Sequence, residues 1–196
     1  MNPTERPRPR GRPRRFDPDE AVAIAQRLFH ARGYDAVSVA DLTEAFGINP
    51  PSFYAAFGSK AGLYARVLDR YTGTSAIPLD DLLRPDRPVA ECLAAVLTDA
   101  ARRYAAEHAA GCLVVEGCRS DDREAREASR ALNVAAEGVI RHYIAARHPE
   151  DAERVTDFVS TTLSGLSAKA RDGYRVDQLL ATARLAGLAL ARALPD

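Results

Sequence analysis

The sequence predicts an all-α protein. Three observations carry that expectation: apolar residues recur at three- and four-residue spacing along most of the chain, helix-starting and helix-stopping residues punctuate those stripes, and no alternating strand pattern of useful length occurs. With 196 residues, 46% of them hydrophobic and 28% charged, the chain can bury a real core, which excludes disordered, collagenous and fibrous classes.

Residues 1–15 alternate Pro with Arg and have no apolar period, so a flexible basic arm is expected there. Order should begin at Phe16. Asp17 can accept from the free N–H groups of a helix start, Pro18 suits the first helical position, and Glu20 completes a capping box. Ile24, Ala25, Leu28 and Phe29 then form an apolar stripe that Gly33 ends. Ser38, followed three residues later by Asp41, opens a short second helix with Leu42 and Phe46 inward and Gly47 as its stop. Pro51 disfavours helical geometry in the residue before it yet fits a first turn, so the next cap falls at Asn49 or Pro50 and the helix at 51–57. Ser59 caps a longer helix carrying Leu63, Tyr64, Val67, Leu68 and Tyr71, ending near Gly73. The stretch 74–88, with Pro78, Pro85 and Pro88, is the long helix-poor break. It divides an arm at 1–15 and a unit at 16–73 from a second part at 74–196. Beyond it, helices are expected at about 88–108, 111–119, 122–147, 150–171 and 175–194.

Lys+Arg and Asp+Glu both number 27, so affinity for a polyanion must come from where charges sit. Their placement is uneven: Arg6, Arg8, Arg10, Arg12, Arg14 and Arg15 face a single acid, Glu5, in the first fifteen residues. The N-terminus lacks the apolar region of a secretory signal, and no uncharged apolar run approaches the roughly 18 residues of a membrane helix. A soluble, cytoplasmic protein with no membrane partner is expected. Cys92, Cys112 and Cys118 are odd in number and spread through a chain with ample core, which fits reduced thiols.

Two short helices joined through Gly47-Ile48-Asn49 have the proportions of a helix-turn-helix, whose second helix lies in the DNA major groove. A basic arm stands upstream, a polar helix start at Ser38, and Tyr54 and Lys60 just downstream, all donors that phosphates need. Positions 11–71 resemble the N-terminal DNA-binding domain of the TetR family of bacterial transcriptional regulators. The resemblance is carried by Leu28-Phe29, Gly33-Tyr34, Asp41-Leu42, Phe46-Gly47-Ile48, and Ser52-Phe53-Tyr54 with Phe57, Ser59 and Lys60. A looser likeness to one branch of the family runs through Gly111-Cys112-Leu113-Val114 and through Gly165 to Gly173.

That resemblance implies a three-helix helix-turn-helix unit followed by a helical ligand-binding and dimerisation domain. It places Asn49, Pro50, Pro51, Ser52, Ala55 and Ala56 on the exposed or leading part of the recognition helix, and Ser38, Tyr54 and Lys60 at the DNA backbone. A hydroxyl at a helix start, a phenol and an ammonium can each donate to phosphate, whereas Phe53 and Phe57 read as core. Ala55 and Ala56 depart from relatives that carry bulkier or polar groups there, because a methyl can only touch a thymine methyl or permit close approach. Direct reading therefore leans on Asn49 and Ser52. In the arm, Gly11-Arg12-Pro13 resembles the core of an AT-hook, so Arg10, Arg12, Arg14 and Arg15 are expected in a narrow minor groove.

The final helix has no charge between Arg184 and Arg192, and Leu185 and Leu188 lie off the stripe of Leu179, Leu180, Ala183, Ala186, Leu190 and Leu194. A homodimer follows, its last two helices forming a four-helix bundle through Val155, Thr162, Ser164, Gly165, Ala168, Leu185 and Leu188. Two recognition helices then want a palindromic double-stranded operator. The intervening helices would hold a pocket for an unidentified small-molecule effector, with Val96, Leu97, Tyr104, Leu113, Val114, Leu132, Val139 and Tyr143 as candidate wall or core residues. His108 and Cys112 stand four apart with Cys118 beyond, but Gly111 breaks any shared helix face and no CxxC or HxxxH occurs. No metal or cofactor is expected. The function expected is a ligand-responsive dimeric repressor. The competing readings are an architectural DNA binder relying on its arm and an all-α enzyme, the latter without a Walker, HExxH or GxSxG motif.

Overall fold

A computed structural model describes residues 16–106 and 110–195. The described residues fold into helices joined by turns: α1 (Pro18–Arg32), α2 (Val39–Phe46), α3 (Pro50–Phe57), α4 (Lys60–Thr74), α5 (Leu79–Leu82), α6 (Val89–Tyr104), α7 (Leu113–Gly117), α8 (Arg123–Ala145), α9 (Ala152–Arg171) and α10 (Val176–Ala193). None of them is long and apolar enough to cross a membrane.

The local signals act as their chemistry requires. The Asp17 carboxylate accepts from Asp19 N at 2.9 Å, with Pro18 at the first position of α1. At α2, Ser38 and Asp41 cap each other reciprocally. Asn49, not Pro50, caps α3, taking the Ser52 N–H at 2.9 Å, and Ser59 caps α4 by accepting from Gly62 N at 2.8 Å. The 74–88 break contains one turn of helix, α5, which four residues are too few to announce by periodicity. The helix expected at 88–108 ends at Tyr104, and that expected at 111–119 contracts to five residues.

Buried side chains gather in two apolar clusters. The proximal one joins Phe29, Leu42, Phe53, Leu63, Tyr64 and Leu68 of α1–α4, and Val37 between α1 and α2, with Leu113, Val114 and Ala125 of α7 and α8. The distal one joins Leu93, Val96 and Leu97 of α6 with Ile140, Ile144, Val155, Val159, Leu179, Ala183 and Leu190. Each such side chain withdrawn from water contributes about 1.5–3 kcal/mol before ordering entropy is counted. Packing thus carries α7 and the start of α8 across the sequence boundary at 74 and onto the N-terminal unit. Polar contacts reinforce the joint: Tyr34 Oη donates to the Asp122 carboxylate at 3.0 Å, Ser120 Oγ to Asp35 at 2.8 Å, and Tyr64 Oη to the Leu113 carbonyl at 3.3 Å.

Several expected positions take other places. Val155 is buried within its own chain, because it belongs to the inward stripe of α9 with Val159 and Leu166, and so is closed to a partner. Val96 and Leu97 are buried in the distal core and Leu113 in the proximal one, the core alternative of the two expected for them. Val139 is 45% exposed on α8. Tyr143 packs on the distal core's edge and donates to the Arg84 carbonyl at 2.7 Å.

Candidate nucleic-acid interface and internal cavity

Gly47, in the left-handed region at φ 68°, turns the chain from α2 into α3, a conformation that costs a side-chain-bearing residue more than glycine. The turn brings Phe46 against Phe53 and Phe57, with ring centroids at 6.5 and 6.1 Å, so α3 is pinned by one face. Pro50, Pro51, Ser52, Tyr54 and Ala55 form the opposite, exposed face. Ala56 does not join them: three residues after Phe53, it is half-buried on the proximal core. Tyr54 is 51% exposed.

Neither α3 nor α4 has an acid in its own first turn, so neither helix supplies a carboxylate to its positive end. Lys60 opens α4, where the helix dipole disfavours a cation, and its ammonium lies 4.0 Å from the Tyr34 ring centroid. Partial burial lowers its pKa, opposed by the carboxylates of Asp35, Asp122 and Asp41. Ser38 is exposed at the start of α2 beside Asp41, whose carboxyl is held down at about 2 by the Ser38 hydroxyl and N–H and by Arg32, 3.1 Å away. Asn49 commits its side-chain oxygen to the cap, leaving its NH2 group as the free donor. The expected arm contacts, Arg10, Arg12, Arg14 and Arg15, lie outside the described residues.

A cavity of about 140 Å³ opens among α4, α6, α7, α8 and α9. Of the expected wall residues, Tyr104, Val114 and Leu132 line it. The sequence reading missed Tyr71, Cys112, Asn133, Glu137 and Ser160, and it assigned Ser164, also on this wall, to the dimer interface. Asn133 donates to the Glu137 carboxylate at 3.0 Å, and among the described residues no Lys, Arg or His lines the space. Burial, and the neighbouring Cys112, raise the Tyr71 and Tyr104 hydroxyls well above the ordinary phenol pKa, so both remain donors. Among the described residues, no three His, Cys, Asp or Glu side chains are grouped to hold a metal.

An exposed short helix after a glycine turn, both built on a helical body with its own cavity, defines a helix-turn-helix regulator, and the chain belongs to the TetR family. The family model described as "Bacterial regulatory proteins, tetR family" matches residues 22–67. The chain is 59% identical over 181 residues to the HTH-type transcriptional repressor BdcR of Escherichia coli (strain K12), covering 92% of each. It is 30% identical over 183 residues to the HTH-type transcriptional repressor ComR of the same organism, covering 87% of each. Among solved structures, it is similar to a cysteine mutant of the TetR family regulator CifR complexed with 26-base-pair operator DNA. That similarity has a TM-score of 0.81 at 35% identity, spanning 91% of this chain and 99% of that one.

Proposed function

We propose that the protein is a homodimeric transcriptional repressor, without enzymatic activity, that is released from a palindromic operator when a small-molecule effector fills the internal cavity. One observation carries the reading: α4 begins with Lys60 beside the exposed α3 and ends with Tyr71 and Thr72 in the cavity wall, so one rigid element touches both sites. The eleven residue steps from Lys60 to Tyr71 span roughly 16 Å of helix, which transmits a tilt instead of absorbing it. Effector and operator affinities are then coupled reciprocally.

In this reading Ser38, Tyr54 and Lys60 hold phosphates, and the exposed α3 residues Pro50, Pro51, Ser52 and Ala55, with the Asn49 amide, approach bases. The arm arginines Arg10, Arg12, Arg14 and Arg15 enter the adjacent minor groove. Thr162, Gly165, Ala168, Leu185 and Leu188 meet their symmetry mates across the dimer. The BdcR and ComR names support repression, and the CifR complex supports operator recognition.

The test is fluorescence anisotropy on duplexes selected from a random library. Lys60→Ala should weaken binding to every duplex about equally and reduce the salt slope by about 1, whereas Ser52→Ala should change which duplexes are preferred. Equal affinity of the wild-type protein for palindromic and random duplexes would favour an architectural binder instead.

A further inference from the structure

We propose that the effector is a small monoamine with an apolar body, bound as its ammonium by Glu137 on the cavity wall. This rests on the effector-cavity reading above and gives that ligand a charge and a size. Polar groups enter the wall as two pairs, each one helical turn apart: Asn133 and Glu137 on α8, Ser160 and Ser164 on α9. The Asn133 NH2 group donates to Glu137 Oε1 at 3.0 Å, which holds the carboxylate in place. Among the described residues, Glu137 Oε2 and both serine hydroxyls have no hydrogen-bond partner, and no cation pairs with the carboxylate. A carboxylate oxygen accepts, a hydroxyl can accept, and an ammonium brings three donors and no acceptor, so the open positions on the wall complement it.

Charge decides the class. Among the described residues Glu137 is the one carboxylate on the wall, and no basic side chain there offsets it. An anion beside it is repelled, and a neutral alcohol leaves its charge without a counter-ion. An ammonium forms the short, charge-assisted bond that this half-buried carboxylate lacks. A diamine would bury a second positive charge with no second carboxylate to meet it, so the wall specifies a single amine. Tyr71, Ile77, Tyr104, Val114 and Leu163 supply apolar surface for the rest of the ligand. The cavity sets its size: about 140 Å³ compares with the roughly 150 Å³ of an apolar cavity that admits benzene, which limits the body to about six carbons. A ligand held this way fixes its charged end to α8 and sets its body against Tyr71, and hence against α4, which begins at Lys60.

The test is titration calorimetry on the full-length protein without DNA, using three compounds of one shape and different charge: cyclohexylamine, cyclohexanol and cyclohexanecarboxylate. Cyclohexylamine should bind at one per chain and at least about tenfold more tightly than cyclohexanol, with no binding of the carboxylate. Glu137→Gln should erase the preference for amine over alcohol, and Glu137→Asp should retain it. The charge series on the wild-type protein stands whether or not either variant folds. At matched ionic strength, saturating cyclohexylamine should lower affinity for the selected duplexes at least about tenfold in the anisotropy assay. Equal affinity for amine and alcohol, an amine preference that survives in Glu137→Gln, no binding of any of the three, or amine binding with unchanged operator affinity would overturn the proposal. Each of those results leaves the repressor reading standing. The repressor reading fails separately if untreated protein shows no duplex preference, and calorimetry without DNA scores the amine site in either case.

Discussion

His30 lies buried at the end of α1, where its Nε2–H donates to the Gly111 carbonyl at 2.8 Å and its ring meets the edge of Tyr71, centroids 5.7 Å apart. Burial lowers its pKa below the ordinary 6.5, the Gly111 hydrogen bond works the other way, and the Arg171 guanidinium lowers it further. The sign follows from linkage. Above pH 6.5 the imidazole is neutral in both folded and unfolded chains; below it the unfolded chain takes the proton first, so stability falls with pH until the folded value is reached. The melting temperature should therefore drop between about pH 7.5 and 5.5, and His30→Gln should flatten that drop. Equal slopes in the two proteins would show that His30 is protonated as easily in the fold as outside it. The consequence is local to the joint, since Arg171 also pairs with Glu116 of α7 at 3.1 Å.

The helices of the N-terminal unit were legible because their signals are local. A cap and its partner lie within three residues, as in Ser38 with Asp41 or Asn49 with the Ser52 N–H, and need no tertiary context. The same reading placed the inward and outward faces of α10 correctly, with Ala183 and Leu190 buried and Leu185 exposed. It failed where the answer depends on how helices meet. Asn133, Glu137 and Ser160 are polar residues on helices, which a stripe argument sends to solvent, and only the approach of α8 to α9 turns them onto a cavity. Val155 failed for a related reason, because the stripe that carries it on α9 is apolar and its pattern alone does not say whether it packs inside the chain or against a partner. Close approach is equally invisible: a Cβ on Gly117 of α7 would stand 2.2 Å from Ser129 Oγ and 2.3 Å from Tyr64 Oη. Gly117→Ala should thus destabilise the fold by about 1–3 kcal/mol by forcing α8 and α4 apart. Denaturant midpoints measure it, and a loss below about 0.5 kcal/mol would mean the joint yields at little cost.

Two chains are needed before α3 can read a palindrome, and in the proposed dimer α9 and α10 carry the surface that joins them. Leu185 and Leu188 are 69% and 70% exposed, Phe158 is 40% exposed on α9, and Gly165 has no heavy atom within 4 Å of where a Cβ would stand. Exposed apolar side chains beside an unobstructed glycine suit the close helix crossing of a four-helix bundle. Symmetry doubles every substitution made there. Leu188→Glu removes about 1.5–3 kcal/mol of burial from each protomer and sets two desolvated carboxylates into one interface, so a cost above about 4 kcal/mol, a thousandfold in association, is expected. Sedimentation should then give the mass of one chain, and binding to the palindromic duplex should collapse to that of a single half-site while the pH dependence tied to His30 is retained. Because Leu188 touches neither α3 nor the cavity wall, a variant that stays dimeric places the interface elsewhere, and a monomer that still binds the palindrome at full strength removes the need for paired heads.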